Sequence, residues 1–229
     1  VKAFFMTIAQ RIQDIRQQIP SDVRLIAVTK QVPVSAMREA YAAGIRDFGE
    51  NRLQEALPKQ EQLKDLPDLC WHFIGHLQEN KAKKVLEHFQ WIHAVDSLRL
   101  AQRLNRLTAE LSLAPNLCLQ VKLLSDPNKY GWSVPELMAA LPELEQCQPL
   151  KIQGLMTILP LGLSTEEMLA AFQGIRDLAR AIAQQSKLSM SQLSMGMSDD
   201  YLLATQAGAT MIRLGRAIFG DRPERSAQL

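Results

Sequence analysis

The hydrophobic positions of this chain follow two alternating periods. Short apolar runs rich in β-branched residues begin near Val23, Ile45, Cys70, Trp91, Leu117, Ile152, Leu193 and Met211. Between them apolar residues recur every third or fourth position, as in Leu98, Ala101, Leu104, Leu107 and Leu111, or Leu169, Phe172, Ile175, Ala179 and Ile182. The runs read as buried strands and the spaced positions as one face of a helix. Val23 to Val28 is apolar apart from Arg24, as expected of a strand covered on both faces. Local punctuation agrees: Ser97 predicts a helix N-cap before Leu98, and Gly44 and Gly208 predict helix ends. Ahead of the first strand, Phe4, Ile8, Ile12, Ile15 and Ile19 mark the apolar face of one additional helix.

Eight strands alternating with helices fit either an open doubly wound sheet or a closed barrel. A Rossmann-type sheet would carry a glycine-rich fingerprint after its first strand, and none stands there. The count of eight, with one extra N-terminal helix, predicts a single α/β domain over residues 1–229, a (β/α)8 barrel. No repeat, linker or low-complexity tract divides it. Pro58, inside a helical stretch, and the stretch Asp126 to Trp132 predict local breaks.

Composition narrows the function classes. Lys and Arg number 26 against 24 Asp and Glu, a net charge of +2, so no broad basic field invites nucleic acid or an anionic membrane. The longest uncharged run, Ile152 to Thr165, is interrupted by Gly154, Pro160 and Gly162 and is too short to span a bilayer. Cys70, Cys118 and Cys147 are odd in number and widely spaced, which argues against a disulfide framework or a zinc knuckle and for a reducing, cytoplasmic setting.

In barrels of this kind function gathers where strands end and helices have yet to begin. Lys30 ends the first strand, Glu50 and Asn51 the second, His76 the third, Asp96 the fourth and Thr157 the sixth. Ser194 to Ser198 end the seventh, and Arg213 to Gly215 the eighth. A partly desolvated lysine at the barrel mouth has a lowered pKa and serves as a carbonyl nucleophile; the plainer reading of Lys30 is a surface lysine just past a strand. Met195 to Asp200 and Gly215 to Ala217 each leave a strand and open a helix, so Ser198 and nearby amides suit an anion such as phosphate; the plainer reading is turn glycines and a cap. Arg213, flanked by Ile212 and Leu214, needs a partner if it points inward, with Glu50 and Asp96 as candidates. His72 and His93, inside strand-like runs, read as core residues or as support behind the site rather than as ligands, and Met195 and Met197 as packing. No clustered spacing of His, Cys and Asp points to a metal.

Taken together, Ala27-Val28-Thr29-Lys30, Phe48-Gly49-Glu50-Asn51, His72 to Gln78 with Asn80-Lys81, Gly154-Leu155-Met156, Leu193 to Asp199, and Arg213-Leu214-Gly215 through Phe219-Gly220 closely resemble the pyridoxal phosphate homeostasis proteins. The resemblance runs from the first helix to Gly220. It implies a barrel like the N-terminal domain of alanine racemase that carries pyridoxal 5′-phosphate (PLP) as an internal aldimine on Lys30. Ser198, Gly215 and the amide of Arg216 would hold the phosphate, Arg213 would face the pyridine nitrogen, and Asn51, Met156 and Ser194 would border the ring. Two positions depart from the family pattern. Arg216 stands where many relatives have a hydroxyl residue, and Val32 stands where relatives often carry a second lysine.

Three readings follow: a PLP carrier for homeostasis without rapid turnover, a fold-type III PLP enzyme such as an amino-acid racemase, and a PLP-free Schiff-base aldolase. A yellow protein separates the last from the first two. Racemases of this fold add a second domain that supplies a tyrosine base to the partner subunit's site. Only nine residues follow Gly220, so the carrier reading is expected, with Tyr130 and Tyr201 as the substitutes to weigh. An arginine at the ring nitrogen can only donate, which weakens the ring as an electron sink. Expected partners are PLP and apo forms of PLP enzymes or regulatory proteins, with no nucleic acid and no membrane; the chain is expected to be a monomer.

Overall fold

A computed structural model describes residues 6–124, 126 and 129–220. Its strands are β1 (Arg24–Val28), β2 (Asp47–Glu50), β3 (Cys70–Phe73), β4 (Trp91–Val95), β5 (Asn116–Lys122), β6 (Trp132–Ser133), β7 (Lys151–Met156), β8 (Gln192–Ser194) and β9 (Met211–Leu214). All pairings are parallel. The ring runs β1-β2-β3-β4-β5-β7-β8-β9 and closes where β9 returns to β1, Arg24 opposite Met211 and Ala27 opposite Leu214. The two-residue β6 lies outside the ring and, among the described residues, pairs with β5 alone. The fold is therefore the expected (β/α)8 barrel. The sixth, seventh and eighth strands of the sequence reading are β7, β8 and β9.

The helices are α1 (Ile8–Gln18), α2 (Val34–Ala42), α3 (Leu53–Gln62), α4 (Ala82–His88), α5 (Leu98–Leu111), α6 (Val134–Ala139), α7 (Leu141–Glu145), α8 (Thr165–Gln185), α9 (Tyr201–Gln206) and α10 (Arg216–Phe219). Their ends follow from local chemistry. Thr7 and Gln10 form a reciprocal capping box on α1, as do Ser164 and Glu167 on α8, each satisfying backbone donors that a helix start leaves orphaned. Ser97 caps α5 by accepting from Leu100 N at 3.3 Å. Gly44 takes φ +95° and Gly208 φ +103°, left-handed values that glycine adopts without a Cβ clash. α1 buries Ile12 and Ile15, with Ile19 behind them; Phe4 lies outside the described residues. Pro58 does not break its helix: α3 runs through it. A proline there forfeits one backbone bond and kinks or strains a helix, and the buried Leu53 and Ala56 hold this one to the barrel.

Strand alternation separates two apolar layers. In β1, Leu25 and Ala27 join the large cluster beneath the helices, while Ile26 joins Trp91, Ala94, Cys118, Met156 and Met211 inside the barrel. Side chains two apart share a face, so each strand sends a column of residues from the barrel floor to its mouth. In β1 that column is Arg24, Ile26, Val28, and Lys30 just beyond the strand. Gly154 marks the tightest point of the wall. A Cβ there would lie 1.7 Å from the carbonyl oxygen of Gln192.

Candidate functional site

The columns end in a cleft of about 360 Å³ at the C-terminal mouth, lined among others by Val28, Lys30, Asn51, His76, Gln120, Tyr130, Ser198, Arg213, Gly215 and Arg216. Six of the eight residues singled out in the sequence meet here. The other two, Met156 and Ser194, are fully buried below it: Met156 packs in the barrel interior, and Ser194 touches Arg213.

Lys30 is half-buried, set between the end of β1 and Gln31, whose φ of +61° turns the chain sharply out of the strand. A buried clamp fixes its predecessor. Lys59 Nζ donates to Glu50 Oε1 and to the Thr29 carbonyl, each at 2.7 Å, and Thr29 Oγ1 donates to the same Glu50 oxygen at 2.7 Å. Glu50 is thus committed to Lys59 and does not reach Arg213. The second expected partner of that arginine, Asp96, is 2.9 Å from His76 Nδ1 instead. His76 in turn stacks on Tyr130, centroids 3.6 Å apart, and the Tyr130 carbonyl accepts from Gln120 Nε2 at 2.9 Å. Tyr201 opens α9 and does not line the cleft; its hydroxyl lies 3.3 Å from Gln18 Oε1.

Asn51 is held by close approach. A Cβ on Gly75 would sit 2.4 Å from the Asn51 carbonyl, so only glycine lets the two segments touch. Asn51 Oδ1 is buried without a hydrogen-bond partner among the described residues. Such an atom in a cleft suits an incoming donor.

The two candidate anion loops are tied to each other. Gly196 has φ +96°, and a Cβ on it would lie 2.7 Å from that of Ala204. Met197 N donates to Asp200 Oδ1 at 2.6 Å, and Ser198 Oγ accepts from Ala217 N at 3.3 Å across the gap. Arg216 pairs with Asp199, both exposed, so the guanidinium that replaces a hydroxyl closes the loops from outside. Burial pushes the Asp200 carboxyl above its ordinary pKa, with the Met197 amide and Arg213 opposing.

Beneath the cleft a chain of hydrogen bonds crosses the barrel, which linear spacing does not reveal. Arg213 Nη2 donates to the Thr157 carbonyl at 2.9 Å and Nη1 to Ser194 Oγ at 2.7 Å. Ser194 Oγ is 2.7 Å from His93 Nδ1, His93 Nε2 is 2.9 Å from His72 Nδ1, and His72 Nε2 is 2.8 Å from Asp47 Oδ1. A guanidinium can only donate and a carboxylate can only accept. The arrangement that leaves no proton stranded therefore runs one way: Ser194 donates to His93, His93 to His72, and His72 to Asp47. Both imidazoles are then neutral, as their burial requires; desolvation lowers the pKa of His72 and brings that of His93 well below its ordinary value. Burial also draws Arg213 down to about 10, still a cation at neutral pH.

Residues 6–223 match the family profile of the alanine racemase N-terminal domain. A pyridoxal phosphate homeostasis protein of Synechocystis is 56% identical over 204 residues, 89% of this chain and 94% of the relative. The chain belongs to that family. An Escherichia coli K12 protein of the same description is 40% identical over 89% of this chain and 87% of its own. Among solved structures, PipY of Synechococcus elongatus with PLP bound superposes with a TM-score of 0.90 at 54% identity, covering 93% of this chain and all of that one. Alanine racemase of Clostridium difficile shares the fold, with a TM-score of 0.76 at 13% identity, over 96% of this chain and 58% of the racemase. The sequence places His72 and His93 in the interior, where they lie, and offers Tyr130, which lines the cleft; the residues it missed are Asp47 at the foot of the line and Gln120 on the cleft wall. The signal available for the line was the interior parity of His72 with His76 along one column.

Proposed function

We propose that this chain binds PLP in the mouth cleft, with Lys30 as its attachment point, and holds it for delivery to other proteins without rapid turnover of amino acids. The carrying observation is the convergence of unlike donors on one cleft: the Lys30 amine, the buried Arg213 cation, the unpartnered Asn51 oxygen and the two loops that Ser198 joins. These residues fit the group. Lys30 would take the aldehyde, Ser198 with the Gly215 and Arg216 amides the phosphate, Asn51 a ring hydroxyl and Arg213 the ring nitrogen. Ser194 would act from below by holding Arg213, and Met156 by packing the interior beneath the ring. PLP when bound supplies a reactive aldehyde and an electron-withdrawing ring. Arg213, donating only, keeps a proton off an acceptor that faces it. PLP in the names and the bound state of the relatives supports the cofactor, and three free thiols, two of them buried, support a reducing compartment. Among the described residues no helix is long and apolar enough to cross a membrane.

Borohydride reduction of the PLP-loaded protein and peptide mapping are expected to find the adduct on Lys30. An adduct on Lys81 or Lys129 with Lys30 unmodified overturns the assignment. The racemase-like reading draws on Tyr130, which lines the cleft beside the His76–Asp96 pair. Cα-proton exchange of alanine and serine at ordinary enzyme rates, lost in Lys30→Ala, would establish it instead.

A further inference from the structure

The opposite end of the barrel carries a second constellation. Asp47 begins β2, Cys70 begins β3 directly opposite it in register, and His72 follows on the same face two residues on. The Asp47 oxygen, Cys70 Sγ and a His72 ring nitrogen all lie within 4.8 Å of one another. We propose that Asp47, Cys70 and His72 form a binding site at the barrel floor for a single borderline-soft divalent cation of the zinc type.

The donor set selects the ion. A thiolate, an imidazole and a carboxylate together suit zinc or cobalt(II) and disfavour magnesium and calcium, which take oxygen alone. Three protein ligands leave a fourth position for water, and the floor admits it: the Asp47 side chain is 17% exposed and Cys70 is half-buried. Metal bonds of about 2.0–2.3 Å in a tetrahedron separate ligand atoms by roughly 3.3–3.7 Å. The 2.8 Å contact between His72 Nε2 and Asp47 therefore has to open by only about half an ångström. The outer support is already built. Ligating histidines nearly always engage a partner through the other ring nitrogen, and His72 Nδ1 lies 2.9 Å from His93 Nε2, while its ring stacks on Trp91. Arg24 Nε, 3.7 Å from Asp47 Oδ1 and 42% exposed, is the competing cation and can swing to solvent when a metal takes the carboxylate.

Binding balances simply. The Cys70 thiol loses its proton to solvent as the sulfur–metal bond forms. The line above it then turns as a unit: His72 carries its proton on Nδ1 and donates to His93 Nε2, and His93 carries its own on Nδ1 and donates to Ser194 Oγ, which accepts from both His93 and Arg213. The Ser194 hydroxyl proton loses its acceptor in that state, a further cost to affinity. Burial, with the Asp47 charge adding to it, keeps the Cys70 thiol protonated in the metal-free protein, so the affinity is below that of a preformed thiolate cage.

The probe is cobalt(II), added to the full-length protein. One equivalent is expected, with a thiolate-to-cobalt charge-transfer band and intense tetrahedral ligand-field absorption. Both should vanish in Cys70→Ser, weaken in Asp47→Asn, and persist in Cys147→Ser. Circular dichroism confirms that each variant is folded, and Asp47→Asn tests the site independently should Cys70→Ser fail to fold. A wild type without the thiolate band, a band that survives Cys70→Ser in folded protein, or one that follows Cys118 or Cys147 overturns the site.

Discussion

Replacing Ser194 with alanine removes one oxygen and strands two buried groups. Ser194 Oγ accepts from Arg213 Nη1 and donates to His93 Nδ1, both at 2.7 Å, and it has no exposure through which water could substitute. A hydrogen bond to a charged group contributes about 1.5–3 kcal/mol and a neutral one about 0.5–1.5 kcal/mol. The guanidinium keeps its bond to the Thr157 carbonyl, so part of its desolvation remains offset. The expected loss is about 3 kcal/mol, or a fall in melting temperature of roughly 6–12 °C for a domain of this size. Urea unfolding of the PLP-free protein reads it as a lower midpoint at unchanged slope. Ser191→Ala, at an exposed position, is the control and should stay within about 0.5 kcal/mol of wild type. A loss for Ser194→Ala below about 1 kcal/mol would refute the view that Arg213 depends on this hydroxyl, and with it the directed chain to Asp47.

Three further outcomes follow from the same geometry. His72 and His93 are buried neutral with lowered pKa values; the unfolded chain takes up their protons first as pH falls below about 6.5. Stability present above that pH should therefore be lost below it, with a slope of up to about 2.7 kcal/mol per pH unit for two protons; urea midpoints at pH 7.5, 6.5 and 5.5 measure this, and His93→Gln should flatten it. Asp200 has its pKa raised by burial above 3.8, so its contribution is fully present below that pH and is lost as pH rises through the folded value. Asp200→Asn, which keeps an acceptor for the Met197 amide, should gain on wild type between pH 4 and 7, and a variant that falls behind over that range refutes the sign. Gly154→Ala drives a methyl onto the Gln192 carbonyl at 1.7 Å, parting β7 from β8, and should cost more than about 4 kcal/mol; a near-native melting temperature would show that the strands can separate freely.

Strand starts were legible because strands buried on both faces read as unbroken apolar runs, and Ser97, Gly44 and Gly208 mark helix ends by chemistry that is local in sequence. Lys30, Asn51, Ser198, Arg213, Gly215 and Arg216 converge because each stands at or just past the end of a strand, a one-dimensional property in a barrel. Partnerships across strands were not legible. Glu50 and Asp96 looked as available to Arg213 as Ser194, and only barrel closure decides between them. The line from Asp47 to Arg213 draws on β2, β3, β4, β8 and β9, and the floor cluster depends on Asp47 facing Cys70 in register. Neither leaves a spacing in the chain. Pro58 misled for a different reason: tertiary burial of α3 outweighs the local propensity to break.

Because Arg213 can only donate and, in the metal-free protein, Asp47 can only accept, every member of the line beneath the cleft accepts toward the mouth and donates toward the floor. That sets rules of interchange. Threonine at position 194 satisfies both demands, as does glutamine at 72 or 93 with its carbonyl turned toward the mouth, whereas lysine or glutamate at any of the three satisfies one alone. Reversing a single link strands its neighbours, so tolerated changes at these positions must arise together or in an order that never leaves two donors face to face. Strands far apart in the chain are thereby bound to a common mutational history.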